Sequence, residues 1–558
     1  MLNMISRNIA GSSFLRLLVL FTTLSFVIAL PAQIPLSASR PPKNATVLIL
    51  GGGVAGIAAA QALYENGVSD VIVVEARHEL GGRMMSRSFG SVDKQYTVEV
   101  GANWIQGTQA KGGSENPIWT LGRKHGIETR KSSFFNITTF DETGAVDFRD
   151  AIAGAATNYA RLTDAAGVRV SHSLVDATAR GGYALTGSQP SNRYEMASEY
   201  FQFDWEYAQT PEETSWIASS WVMSPPPPPS FCLDLLPGSG MSWFFPPILY
   251  LPNLTGMMLL PLQANNHTFR PDAGGFSDVN AMSVDQRGFK TLIQREAEVV
   301  FKADRPGFRA LLNTTVVEIE YANDGVRVHL QDGGVLSANY AICTFSLGVL
   351  QHNDVTFKPR LPAWKREAIH SMSMGVFTKI FLQFPTKFWF DTEMGLYADR
   401  ERGRYTVWQS LDHENYFPGS GLLFVTVTGD FSKRIESLPN DQVLAEVLTV
   451  LSNMYPNTTI PQPLDFYFHR WHADPLFRGS YSNWPASFLV EHLMNLRADV
   501  GRRLWFAGEA TSRRHFGFLH GAWFEGRDVG KSVAKCVRNE ECGGLEYVET
   551  VKNVRPYT

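Results

Sequence analysis

The apolar run Thr46-Val-Leu-Ile-Leu50 leads directly into Gly51-Gly52-Gly53-Val54-Ala55-Gly56 and then into a helical stretch from Ile57 to Tyr64. A second apolar run, Val71-Ile-Val-Val74, ends in Glu75. Strand, glycine turn, helix and second strand, closed by an acidic residue about 20 positions on, make up the dinucleotide-binding βαβ unit. Gly51 allows the tight turn, Gly53 lets backbone approach a pyrophosphate, and Gly56 lets helix pack closely on sheet. The helix offers free N–H groups and the positive end of its dipole to the phosphates, with Val54 and Ala55 at its first turn. Glu75 is placed to accept hydrogen bonds from ribose hydroxyls.

The segments that follow decide which dinucleotide is bound. Glu75 continues into Ala76-Arg77-His78-Glu79-Leu80-Gly81-Gly82-Arg83, and later come Gly101-Ala102-Asn103-Trp104. Far along the chain, Leu504-Trp505-Phe506-Ala507-Gly508-Glu509 reads as a strand and turn, and Gly517-Phe518-Leu519-His520-Gly521-Ala522 opens another helix. An N-terminal βαβ unit completed by a distant strand and helix suits FAD, whose two ends need separate contacts. A second GxGxxG for a nicotinamide cofactor is absent, since Gly238-Ser239-Gly240 lacks the third glycine and a preceding strand. Electrons from a reduced flavin then need another acceptor, and O2 is the simplest.

These segments resemble the flavin-containing amine oxidases, most closely the secreted plant-type polyamine oxidases. The resemblance rests on Gly51–Gly56, Glu75–Arg83, Gly101–Trp104, Asp285-Gln-Arg-Gly-Phe289, Ser346-Leu-Gly-Val-Leu350, Phe357-Lys-Pro359, Thr378-Lys-Ile-Phe381, Ser482-Asn-Trp-Pro485 and Gly508-Glu509, in order from about Thr46 to Lys535. It implies an α/β fold in which a Rossmann-type FAD-binding domain is interleaved with an α+β substrate-binding domain. The FAD-binding segments fall near 44–130, 281–350 and 490–545, and the substrate-domain segments near 131–280 and 351–489.

The implied activity is amine oxidation by hydride transfer to flavin N5, giving an imine that water hydrolyses to aldehyde and amine, with O2 reduced to H2O2. Lys379 matches the family's lysine beside the flavin, which holds a water there. A lysine within an apolar strand pattern is costly to bury unless paired or functional. Arg83, Glu509, Trp471 and Phe518 match flavin-site positions, and Val316 or Val317 falls beside the adenine; either is equally a core valine of a strand. Trp104, Phe477, Tyr481 and Phe518 match the aromatic walls of the amine site, with Phe377, Phe477 and Phe518 standing where the plant pattern has tyrosines. Glu206 matches a tunnel carboxylate, whereas Gln106 replaces a second one. Monoamine oxidases attach their flavin through a cysteine near the Trp484 region; this chain has none there, which implies non-covalent FAD. No arginine can be assigned by motif to the carboxylate clamp of L-amino-acid oxidases. An oxidase of a specialised amine, or a flavin-binding protein without turnover, are the alternatives.

Among 558 residues with a net charge of −4, nothing electrostatic points to nucleic acid, and the balance suits a cationic substrate. Arg7 and Arg16 precede the apolar run Leu17–Leu30, and small and polar residues follow from Pro31 to Arg40, as in a secretory signal peptide cleaved near Ala32 or Ser39. An uncleaved anchor is the alternative, although the run is shorter than the ~18–20 residues a span needs. Secretion agrees with the sequons at Asn44, Asn136, Asn253, Asn266, Asn313 and Asn457. Cys536 and Cys542 could close a small loop in an oxidising compartment, while Cys343 reads as a buried apolar residue. No cysteine spacing suggests a metal. Ser224-Pro225-Pro-Pro-Pro-Pro229-Ser230 opens a stretch, 224–272, read as an insertion in the substrate domain. It is a lid, a docking surface, a membrane-touching loop or a longer packed loop.

Overall fold

A computed structural model describes residues 44–109, 113–222, 276–277, 279–302, 304–539 and 542–549. The leader segment 1–39, the insertion 224–272 and the sequons at Asn253 and Asn266 lie outside the described residues.

The first apolar run forms the strand Ala45–Leu50, Gly53 caps the helix Val54–Glu65, and the second run forms the strand Val71–Val74. Ala45–Leu50 pairs in parallel with Val71–Val74 on one side and with Val335–Cys343 on the other. Phe308–Leu311 extends the sheet in parallel beyond Val71–Val74, and Leu504–Phe506 pairs in parallel with the end of Val335–Cys343. Gly325–Leu330 and Val316–Ala322 complete it as an antiparallel flap. Strands covered on both faces carry continuous apolar runs, which is why Thr46–Leu50 and Val71–Val74 show no alternation.

A second, mainly antiparallel sheet takes the strands Asp465–Phe468, Phe377–Gln383, Leu422–Thr428, Val407–Ser410, Met394–Tyr397, Ile137–Asp141 and Gly144–Ala145, in that spatial order. The two sheets draw on alternating stretches of chain. The boundary expected at 350 falls short, because Thr356–Lys358 pairs with Val316–Ala322 in the first sheet. Leu361, Ala368, Ile369 and Met372 also share a core with Leu48 and Ile72. The helix Ala363–Ser371 therefore packs with the first sheet, and that segment runs to about Met372.

The helix Leu519–Val537 lies against the helix Val54–Glu65 through small residues. A Cβ at Gly526 would stand 2.2 Å from the Ala55 carbonyl oxygen, and one at Gly530 would stand 2.7 Å from that of Ala59. Cys536, in the last turn of this helix, forms a disulfide with Cys542, and Cys343 is a buried free thiol. Among the described residues, no helix is long and apolar enough to cross a membrane. Asn44, Asn136, Asn313 and Asn457 are exposed.

Gly526→Ala forces the two helices apart by backbone, not by a flexible side-chain tip. Overpacking of this kind costs ~1–3 kcal/mol and outweighs the helix-propensity gain of at most ~1 kcal/mol. We expect a lowered unfolding temperature together with weaker flavin retention, since the Val54–Glu65 helix end moves with the contact. A flavin content and melting curve equal to those of the parent protein would show that the contact is not tight.

Candidate active site

The two sheets face a single cavity of about 2130 Å³. It is bordered by Gly51, Gly53, Val54, Ala55, Glu75 and Val317, by Gly101, Ala102, Asn103, Lys379 and Trp471, and by Glu206, Phe377 and Tyr481. Arg83, Trp104, Gln106, Phe477, Glu509 and Phe518 border it too. Gly56 does not. Its Cβ would stand 2.0 Å from the Gly51 carbonyl oxygen, so Gly56 closes the turn from beneath and touches no ligand space.

The nucleotide end has the form a pyrophosphate needs. No side chain caps the helix Val54–Glu65 at Gly53, and a Cβ there would meet only Gly82 Cα, at 3.8 Å. The first-turn N–H groups thus have an open approach. The Glu75 carboxylate accepts from the Gly52 N–H at 2.7 Å and the Arg77 N–H at 2.8 Å, which fixes it at the tip of the second strand. The register of Val316–Ala322 shifts between Val316 and Glu318, a bulge at which both Val316 and Val317 border the cavity, Val316 buried and Val317 exposed.

Glu509 ties this end to the floor of the cavity. Its carboxylate accepts from Arg83 Nη1 at 2.9 Å, the Gly517 N–H at 2.8 Å, the Ser482 N–H at 3.2 Å and the Ser482 hydroxyl. Phe518 caps the helix Leu519–Val537 and stacks on His520, with ring centroids 5.1 Å apart. Burial holds the His520 imidazole well below its usual range and His515 at about 4, so both are neutral.

Lys379 stands at the centre. The strand Phe377–Gln383 carries it inward, and its Nζ donates to Glu99 O at 3.1 Å, Gly101 O at 2.7 Å and Asn103 Oδ1 at 2.7 Å. Desolvation lowers its pKa to about 7, against the opposing pull of Glu99. The Glu99 carboxyl, raised to about 7 by the same burial, accepts from Ser86 Oγ and the Phe289 N–H, each at 2.7 Å. Trp471 and Phe477 meet edge to face at 5.1 Å.

Beyond Lys379 the walls are aromatic. Trp104 meets Phe134 at 5.6 Å and Trp205 at 5.8 Å, and Trp205 meets Phe377 at 6.4 Å. Tyr481 Oη donates to the Glu206 backbone oxygen at 2.9 Å. The Glu206 carboxyl borders the cavity, and burial alone raises its pKa to about 7. The Gln106 backbone oxygen accepts from Asn116 Nδ2 at 3.0 Å, leaving its side chain to the cavity wall.

A family model, flavin containing amine oxidoreductase, matches residues 54–533. The chain belongs to this family. It is an FAD-dependent amine oxidase, with the Rossmann-type domain and its partner domain interleaved in the family's manner. It is 33% identical to polyamine oxidase 6 of Oryza sativa subsp. japonica over 89% of this chain and 92% of that protein. It is 32% identical to polyamine oxidase 1 of Zea mays over 89% of this chain and 91% of that protein. The structure of wild-type putrescine oxidase bound to putrescine shares the fold, with a TM-score of 0.61 at 16% identity over 88% of this chain and 98% of that one.

Sequence reasoning missed Trp205, Phe201, Phe134 and the neutral pair His515 and His520, all of which border the cavity. Only the aromatic density of Tyr200–Tyr207 hinted at Phe201 and Trp205. That stretch forms a π-helix, Tyr200–Asp204, before Trp205, and π-helical turns often mark functional sites. Among the described residues, Glu318, Glu320 and His329 come together with metal-ligand side chains, but Lys358 and Arg327 already pair with the carboxylates.

Glu509→Ala strands the Arg83 guanidinium and three further donors. Breaking a buried pair costs ~3–5 kcal/mol, and the partial exposure of Arg83 puts this one near the lower figure. Glu509→Gln still offers one acceptor oxygen and should lose about half as much. Melting curves read from flavin fluorescence should rank parent above Gln above Ala; indistinguishable curves would remove Glu509 as the tie.

Proposed function

We propose that the protein oxidises a diamine or polyamine, and that Lys379, the aromatic walls and Glu206 divide the work. The observation carrying this reading is the Glu206 carboxyl, which borders an aromatic-walled cavity and is paired with no cation among the described residues. A substrate with a second ammonium supplies that cation, and aromatic faces favour its approach. The names of the rice and maize relatives support the same class.

Bound FAD supplies the oxidising chemistry, taking a hydride equivalent from the carbon beside the amine nitrogen and passing the electrons to O2. Val54, Ala55 and Glu75 would hold its nucleotide end without a covalent bond, with Val317 beside the adenine, and Asn103, Trp471 and Phe518 would border its ring. The enclosed walls exclude water, keep the reacting amine neutral, and set it beside Lys379. Lys379 Nζ would stand beside the reacting groups, held by Glu99 O, Gly101 O and Asn103 Oδ1. The absence of a carboxylate at Gln106 favours substrates with one distal charge over long polyamines, which is also the observation that supports a specialised amine as substrate.

The leader segment Leu17–Leu30, together with the exposed asparagines Asn136, Asn313 and Asn457, supports a secreted glycoprotein. Asn44 takes a different position: its Oδ1 accepts from the Ser337 N–H at 2.8 Å, so a glycan there would disturb the edge of the sheet.

The reading is tested by anaerobic mixing of purified enzyme with monoamines, diamines, polyamines and acetylated polyamines. Flavin bleaching fastest with a diamine or polyamine is the expected result, and bleaching by monoamines alone would overturn it. Lys379→Met should keep bound FAD but slow both reduction and reoxidation at least tenfold; unchanged stopped-flow rates would exclude Lys379 from the chemistry.

Glu206 gives the pH dependence. Its carboxyl is neutral below about 7 and anionic above, so KM for a diamine should fall as pH rises from 6 to 8. Glu206→Gln should flatten that limb and raise KM roughly 10- to 150-fold, the ~1.5–3 kcal/mol of a charge-assisted contact, with little change in kcat. A variant with unaltered KM would make Glu206 structural.

A further inference from the structure

Lys379 Nζ has three acceptors within hydrogen-bond reach: Glu99 O, Gly101 O and Asn103 Oδ1. An ammonium group has three N–H donors and satisfies all three acceptors. A neutral amine has two donors and a lone pair, and the lone pair would then face an acceptor oxygen. Two of the acceptors are backbone carbonyls and cannot change character. Asn103 can, because half a turn about its terminal torsion exchanges the oxygen for the Nδ2 donor. The exchange is open to it: Asn103 borders the cavity, its backbone carbonyl is held by the Ser283 N–H at 2.9 Å, and its Nδ2 has no acceptor among the described residues.

We propose that Asn103 is the positioning residue for Lys379, holding Nζ in either protonation state by presenting its amide oxygen to the ammonium and its amide N–H to the neutral amine. The inference rests on the reading that Lys379 acts beside the flavin, but it concerns the pair of side chains and not the chemistry.

An amine poised near neutrality in a dry site needs such a partner. With fixed acceptors only, the neutral amine would turn its lone pair toward an acceptor oxygen. With an apolar neighbour, the neutral form alone would be tolerated. The charged group acting on Lys379 is Glu99, at the end of the strand Tyr96–Glu99; Glu99 in turn feels Lys290, before the helix Thr291–Val300. On the strand that carries Lys379, Thr378 donates to Glu436. Glu206 titrates in the same cavity and contributes its own limb to any rate profile.

Two substitutions at Asn103 separate the possibilities. Asn103→Asp supplies a permanent acceptor with a charge, and Asn103→Leu supplies neither donor nor acceptor at similar volume. Trace labelling of the holoenzyme with acetic anhydride across pH, followed by peptide mass spectrometry, reads the fraction of Lys379 in the reactive neutral form independently of turnover. The labelling midpoint should rise by at least one pH unit in Asn103→Asp and fall by at least one in Asn103→Leu, tenfold opposite changes at fixed pH. The Lys379-dependent limb of the anaerobic flavin-reduction profile should move with it.

Midpoints that stay put, or that move in the same direction in both variants, would overturn the proposal and leave Asn103 a packing residue. If Asn103→Asp does not fold, the downward shift in Asn103→Leu decides alone. Opposite labelling shifts combined with unchanged flavin rates in Lys379→Met would uphold the pairing and discard the catalytic reading of the lysine.

Discussion

The carboxylate of Glu509 is the point on which the site depends. It gathers Arg83 from the stretch after the βαβ unit, Ser482 from the cavity floor, and Gly517 from the turn before the last long helix. Arg83 lies 426 residues from Glu509 in the chain, whereas Ser482 and Gly517 lie 27 and 8 residues from it. Arg83 also donates to Ser480 O at 2.9 Å, next to Tyr481, so the same tie sets the aromatic wall. Ordering such remote groups is entropically costly, and a single buried anion with four donors is an economical way to do it. The Gly526 and Gly530 contacts then bring the last helix down on the first, and the nucleotide cradle and amine chamber become one continuous space.

That space shapes the acid–base properties of everything in it. Burial pushes Lys379 down and Glu206 up, both to about 7, so desolvation drives a cation and an anion toward their neutral forms. His515 and His520 are held neutral by the same cause. A cavity of this kind resists unbalanced charge and accepts charge only in compensating pairs. Ligand binding and protonation are therefore coupled, and the affinity for a cation rises where Glu206 can ionise.

Much of the nucleotide half was legible in the sequence because its determinants are local. Gly51, Gly53, Val54, Ala55 and Glu75 lie within one βαβ unit, and their spacing alone sets their relation. Gly56 belongs to the same motif and serves its packing: the close approach that fixes it is to Gly51, beneath the turn. Val316 and Val317 both border the cavity, so the choice between them stays as open as the apolar pair left it. The helix Ala363–Ser371 packs with the first sheet although nothing in its amphipathic pattern says which sheet it meets. Lys379 was suspect from its apolar surroundings, yet two of its three partners are backbone carbonyls, which have no signature in residue identity. Trp205 and Phe134 were hidden because a 12% aromatic chain offers many candidates and only the fold chooses among them.

The segment around Glu206 shows how an anion can be left available. Arg402 reaches Asp204 at 2.6 Å and Glu199 at 2.8 Å, and Arg180 reaches Glu199 at 2.6 Å and Glu212 at 2.7 Å. Three acids on this stretch are therefore neutralised from within, by two arginines that also pin the π-helical turn Tyr200–Asp204. The wider turn carries the chain past that ion network, with Trp205 and Glu206 on the cavity wall. Tyr481 grips the Glu206 backbone and leaves its carboxyl free. With the neighbouring acids satisfied and rigid, the unpaired carboxyl has little freedom to seek a partner inside the protein, and its demand for a cation falls on whatever enters the cavity.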